Sequence, residues 1–147
     1  MSREGIYDIH CHIVPGVDDG SANYEETKKL LRMEYDQGVR NIIATPHFRF
    51  RMFETPLSRV QEQFLLVQKA AAEIGDDLQV YLGCEFHANM EMYRMLREGE
   101  VSTMAGSRYV LAEFSESSEG SYIRERLNKL IFSGYKPIAA HIERYEA

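Results

Sequence analysis

Asp8-Ile9-His10-Cys11-His12-Ile13-Val14-Pro15-Gly16-Val17-Asp18-Asp19-Gly20 is the stretch around which the chain is organised. It extends the β-prone run Gly5-Ile6-Tyr7 into a His-x-His, a Pro-Gly turn and a pair of adjacent carboxylates. On an extended strand, residues two apart point to the same side, so His10 and His12 face one way and Cys11 the other. Two imidazoles on one side of a strand end can share a metal ion. The plainer alternative is two histidines on a half-exposed strand edge, and the rest of the chain decides between them.

Outward from this stretch the chain alternates. A strand over about 6–10 leads to a helix over about 23–37, opened by Asn23 with Glu26 three residues on and stopped by Gly38. A second strand, Asn41-Ile42-Ile43-Ala44-Thr45, halts at Pro46 and delivers His47. Thr55 as N-cap and Pro56 as first helical residue open a second helix that closes at Gly75. Its buried stripe is Val60, Phe64, Val67, Ala71 and Ile74. A third strand, about 78–82, runs into Gly83-Cys84-Glu85, and a short helix over about 91–97 follows, capped by Asn89. A fourth strand, 109–112, ends at Glu113. A helix over about 120–132 turns Ile123, Leu127, Leu130 and Ile131 inward, and a fifth strand, 137–140, ends at His141. Strands alternating with helices in this way predict an α/β fold of right-handed βαβ units on a parallel sheet, open or closed into a barrel.

Each strand end now carries a potential metal ligand: His10 and His12, then His47, Glu85, Glu113 and His141. Asp19 to His47, Glu85 to Glu113 and Glu113 to His141 are each 28 residues, close to one βα unit of roughly 30. Parallel α/β folds gather such ends on one face, where active sites are built. Imidazole mixed with carboxylate, without a ladder of thiolates, suits manganese, iron or zinc in a chemically active site, and bridging carboxylates favour more than one ion.

Composition narrows the classes. The 147 residues carry 17 Lys and Arg against 23 Asp and Glu, a net charge of −6, which argues against a nucleic-acid partner. No apolar run approaches membrane-spanning length and no export signal is visible. Cys11 and Cys84 form no metal or disulfide pattern and read as packing in a reducing cytoplasm. Neither cysteine opens a Cys-x5-Arg motif, since Val17 and Met90 stand six residues after them.

Asp-Ile-His-Cys-His, Val-Asp-Asp-Gly, Ala-Thr-Pro-His, Gly-Cys-Glu, the Glu of Leu-Ala-Glu-Phe and Ala-His-Ile-Glu-Arg-Tyr together resemble the polymerase-and-histidinol-phosphatase (PHP) superfamily. Within it the chain is most similar to the manganese-dependent protein-tyrosine phosphatases of bacterial capsule and exopolysaccharide operons. The resemblance implies a distorted TIM-like barrel of the (β/α)7 type, with about five βα units present here. It implies up to three Mn2+ ions, with Fe or Zn as alternatives. His10, His12 and Glu85 would hold the first ion, Glu85, Glu113 and His141 the second, and Asp19 and His47 the third, with Asp18 the alternative to Asp19. Arg144 matches the family arginine that grips phosphate.

The family pattern continues to a late Ser-Asp-x-His that this sequence does not contain, so residues 1–147 are expected to be the N-terminal part of a PHP domain lacking its last strands. The implied function is cytoplasmic hydrolysis of phosphotyrosine on a bacterial tyrosine kinase that regulates polysaccharide export. The alternatives are a histidinol-phosphatase-like enzyme for a small phosphomonoester, or a truncated inactive chain that binds metal.

Weaker expectations attach to the surroundings. Arg49 and Arg51 either steer an anionic substrate or form a solvated basic loop. Phe48, Phe50 and Phe53 are expected to be buried more than to flank a phenol, and His87 to sit at the rim. Glu143 and Tyr145 are expected to support the last motif from behind, and Met90, Met92 and Met95 to serve core or subunit packing.

Overall fold

Proline has no amide hydrogen to give a sheet, and the second strand breaks where Pro46 falls. The structure, a computed structural model, describes residues 5–146. In it β1 (Ile6–Cys11) is followed by α1 (Tyr24–Asp36), β2 (Val39–Ala44) and β3 (His47–Phe48), then α2 (Leu57–Ile74). The chain goes on through β4 (Gln79–Leu82), β5 (Glu85–His87), α3 (Met92–Arg97), β6 (Tyr109–Glu113), α4 (Gly120–Phe132) and β7 (Lys136–Ala139). Two of the five expected strands are thus each split in two, at Thr45-Pro46 and at Gly83-Cys84. Every named pairing is parallel, in the orders β1-β2-β4 and β3-β5-β6-β7. Backbone hydrogen bonds carry the ladder across the breaks: Thr45 N to Cys11 O at 2.8 Å, Gly83 N to Ala44 O at 2.7 Å and Glu85 N to Pro46 O at 3.0 Å. The result is a mixed α/β arrangement in which strand lines follow one another in chain order.

Alternation along β6 shows the two faces of the sheet. Val110 and Ala112 pack with Phe86, Met92 and Leu130 on the helix side. Leu111 points the other way, to Met104, Ala140, Ile43 and Ile138. The core under α1 and α2 is built on Val14, Leu31, Ile42, Ala44, Val67 and Ala70, all fully buried. Of the expected stripe of α2, Val60, Phe64, Val67 and Ala71 are buried, Ala70 joins them, and Ile74 is only half-buried against the core.

Several local expectations need correction. Thr55 does not cap α2; Pro56 takes that position, and the Thr55 hydroxyl donates to Val17 O at 3.0 Å, pinning the helix start to the Asp18-Asp19 loop. Asn89 does not cap α3: it stands two residues before the cap position, Glu91, and its Oδ1 accepts from Glu91 N. On α4 the buried positions are Arg126 and Leu130, whereas Ile131 is 53% exposed. Met92 and Met95 are core, but Met90 is exposed. Asn23 caps α1 as expected, accepting from Glu26 N at 2.9 Å, while Glu26 reaches back to Ala22 N. No helix among the described residues is long and apolar enough to cross a membrane.

Candidate metal centre

The strand breaks place His47 and Glu85 side by side: they are the first residues of β3 and β5 and direct register partners. Glu85 is completely buried and four imidazoles surround it. Its Oε2 lies 2.9 Å from His10 Nε2, 3.0 Å from His12 Nε2 and 3.4 Å from His47 Nδ1. Its Oε1 lies 2.8 Å from His141 Nε2. Glu113, at the end of β6, brings Oε2 within 3.6 Å of His47 Nδ1. Five of the residues expected at the centre, His10, His12, His47, Glu113 and His141, therefore gather around the sixth, Glu85. His10 and His12 do so across an irregularity in the β1–β2 register between Asp8 and Cys11. Cys11 turns the other way, its thiol against Ile43 O.

The adjacent aspartates separate cleanly. Asp18 has a fully buried side chain that accepts from Gly20 N at 2.9 Å and His47 N at 2.9 Å, and lies 3.1 Å from His12 Nδ1. Every oxygen of Asp18 is thus committed to holding the loop and the back of His12. Asp19 is two-thirds exposed and faces His47 Nε2 at 3.6 Å. Gly20 leaves no room for a side chain: a Cβ there would lie 2.3 Å from His12 O. His47 stacks between His12, with centroids 4.3 Å apart, and Phe53, at 5.2 Å.

Neighbouring charges set the protonation pattern against burial. Desolvation opposes charge on His12, but Asp18 and Glu85 on its two nitrogens overcome it and raise its pKa to about 10. Desolvation likewise opposes a charge on Glu85, and His10 and His12 overcome that, holding its carboxyl well below the usual carboxylate range. His47 is shifted upward against its burial by Glu113 and Glu85. A proton on His12 thus supplies positive charge among buried carboxylates.

A cation fits better than protons do. Glu85 Oε2, Glu113 Oε2 and His47 Nδ1 are all buried without an aligned hydrogen bond, although they lie at short range from one another and from His10 and His12. Buried polar atoms without partners are rare and call for a ligand or ion. Glu85 Oε2 and the two Nε2 atoms, 2.9–3.0 Å apart, are close enough to share one ion. Two groups at this centre could hold an ion, His10 with His12 and Glu85, and His47 with Glu85 and Glu113. A third, Asp8 with Cys11 and Glu34, lies behind β1. There burial and the Asp8 carboxylate raise Glu34 to about 7, and burial holds the Cys11 thiol protonated.

The remaining candidates lie around the rim. Arg144 projects to solvent from the turn after His141, its nearest carboxylate Glu143 at 3.9 Å. Arg49 pairs with Phe53 across a tight turn whose exposed tip carries Phe50, Arg51 and Met52, with Arg51 at φ 65°. Phe48 packs on Phe86, so only part of this aromatic group is buried. His87, two residues beyond Glu85 on β5, is 3.3 Å from Ser115 Oγ. Burial and the charge of Arg49 lower its pKa. Tyr145 supports the last motif as expected, its hydroxyl bonding Ala140 O and Phe114 N. Two contributions were not foreseen: Asp18 behind His12, which the doubled aspartate could have signalled, and the Phe53 stack on His47.

Comparison with known proteins bears on this geometry. A sequence model described as "Capsular polysaccharide synthesis, CpsB/CapC" matches residues 6–147. Tyrosine-protein phosphatase CpsB of Streptococcus pneumoniae is 44% identical over 97% of this chain and 58% of its own length. Tyrosine-protein phosphatase YwqE of Bacillus subtilis is 31% identical over 95% of this chain and 55% of its own. A chain from the crystal structures of YwqE and CpsB, described as unique metal-dependent tyrosine phosphatases, superposes with a TM-score of 0.86 at 30% identity, over 95% of this chain and 57% of that one. The chain spans little more than half the length of these relatives. With the family match running from β1 to the last residue, the chain belongs to the CpsB/CapC family of capsular polysaccharide synthesis.

Proposed function

We propose that the Glu85 centre is the metal site of a manganese-dependent protein-tyrosine phosphatase, and that its substrate is phosphotyrosine on a bacterial tyrosine kinase controlling capsule or exopolysaccharide export. The observation that carries this reading is the buried Glu85 carboxylate with one oxygen facing His10 and His12 and the other facing His141. The names of the relatives, tyrosine-protein phosphatases, support the substrate class. Free thiols at Cys11 and Cys84 suit a cytoplasmic setting. We read the parallel strand lines, ordered as in the chain, as an arc of a distorted (β/α)7 barrel within one PHP domain.

In this reading His10, His12 and Glu85 would hold one ion, Glu85, Glu113 and His141 a second, and Asp19 and His47 a third. His47 turns Nδ1 toward Glu113 and Nε2 toward Asp19. When bound, the ions supply positive charge for the phosphoryl oxygens and acidify water for attack. Asp18 orients His12 from behind. Arg144, on the turn that begins at His141, binds a phosphoryl oxygen pair as charge builds. Arg49 and Arg51 draw the anionic substrate toward the rim. Hydrolysis breaks the bond between phosphorus and the tyrosyl oxygen, releasing phosphate and free tyrosine hydroxyl, with no covalent enzyme intermediate.

The test compares manganese-stimulated turnover of a phosphotyrosyl peptide and of histidinol phosphate by the protein expressed from its complete gene. Faster turnover of the peptide, abolished by chelation, is the expected result. Preference for histidinol phosphate would move the protein to small phosphomonoesters, and no turnover of either at saturating manganese would leave a chain that binds metal without catalysis.

A further inference from the structure

The pairing of β6 with β7 runs out just before the two ligands those strands deliver. The last registered pair is Ala112 with Ala139, followed by one more backbone bond, Ala140 N to Ala112 O at 2.9 Å. Beyond it the Tyr145 hydroxyl takes over. It donates to the carbonyl of Ala140 and accepts from the N–H of Phe114 at 3.1 Å. Ala140 is the residue before His141, and Phe114 is the residue after Glu113. The phenol thus forms the next rung between the two strand lines, at the level of the centre. Its ring is fixed edge-on against Phe114, with centroids 5.9 Å apart, and Glu146 N continues the strap to Glu116 O.

His141 needs such a restraint. It adopts φ 52° and ψ 38°, left-handed backbone that a non-glycine residue holds only when its surroundings over-determine it. Arg144 N fixes its carbonyl at 2.9 Å from one side. The Tyr145 hydroxyl fixes the preceding carbonyl from the other.

We propose that Tyr145 is a positioning residue: its hydroxyl sets the spacing between Glu113 and His141 and keeps His141 in the backbone conformation that aims Nε2 at Glu85. This rests on the metal reading of the Glu85 centre. The test is Tyr145→Phe in the protein expressed from its complete gene, which keeps the ring on Phe114 and removes only the hydroxyl. Tyr122→Phe is the control, because its hydroxyl also bonds a backbone carbonyl, Ala88 O, and its ring also meets Phe114 edge-on. Manganese affinity by titration and thermal melting of the metal-free protein are measured for all three forms. The expected result is a Tyr145→Phe protein that melts like Tyr122→Phe but binds manganese about tenfold more weakly than the parent, the low end of what outer supports of a metal site contribute. Parent-like affinity in Tyr145→Phe, an equal loss in Tyr122→Phe, or a Tyr145→Phe chain that does not fold would overturn the proposal. A parent protein that takes up no manganese would overturn the metal reading itself, a result distinct from unchanged affinity in a parent that binds.

Discussion

Asp18 sits directly behind His12, its buried Oδ2 3.1 Å from His12 Nδ1, on the side away from Glu85. Its neighbour Asp19 faces His47 instead. The two substitutions Asp18→Asn and Asp19→Asn are therefore expected to differ in kind. Losing the Asp18 charge removes support for His12 and should weaken the first ion by about 10- to 100-fold. Losing Asp19 should spare that ion and reduce binding only at the His47 side. Metal titrations on the two variants separate these outcomes, and equal effects on the tightest ion would contradict the assignment.

Gly20→Ala probes the same loop through sterics. The added Cβ would fall 2.3 Å from His12 O and 2.5 Å from His12 Cβ, so the backbone or His12 must move. Overpacking of this kind costs about 1–3 kcal/mol. The expected outcome is a lowered melting temperature together with weakened metal binding. A variant with parent-like values for both would show that the loop adjusts freely.

Metal uptake should release protons. With His12 raised from 6.5 to about 10 by Asp18 and Glu85, the metal-free protein carries a proton on that ring throughout neutral pH. A ligand nitrogen must lose it. Affinity is then expected to rise about tenfold per pH unit between roughly pH 7 and 9, flattening near 10, with about one proton released per first ion bound. Calorimetry in buffers of different ionisation enthalpy reads the proton count. In the metal-free protein the linkage runs the opposite way: stability contributed by protonated His12 is full below 6.5 and lost as pH rises through about 10.

Behind β1, Glu34 gives a second pH signature. Burial and Asp8 raise it from 4.5 to about 7, so the folded chain binds its proton more tightly than the unfolded chain does. Stability should fall as pH rises from about 4.5 to 7. Glu34→Gln is expected to flatten that fall and to melt higher than the parent at pH 8. Melting curves at pH 5 and pH 8 check the sign.

Much of this was legible in the sequence because it rests on local rules. Asn23 capping α1, the three-and-four spacing of Val60, Phe64, Val67 and Ala71, and the alternation of strands with helices all follow from periods and caps. The convergence of His10, His12, His47, Glu85, Glu113 and His141 followed from parallel strands ending on one face. What stayed hidden depends on contacts between distant residues. Whether Asp18 or Asp19 turns inward is decided by the amides of Gly20 and His47, not by either aspartate. Thr55 looks like a cap until Val17 offers a carbonyl. Arg126 reads as surface on a helix whose buried face includes it. Tyr145 was expected to support the last motif, but its partner Phe114, 31 positions away in the chain, was not legible.

If Glu85 holds metal ions, anomalous diffraction at the manganese edge will show it, on crystals of the protein expressed from its complete gene and grown with manganese. One peak is expected within bonding distance of Glu85, His10 and His12, and a second beside Glu85 and Glu113. Manganese bound only elsewhere, with Glu85 ligating no ion, would contradict the metal reading of this centre.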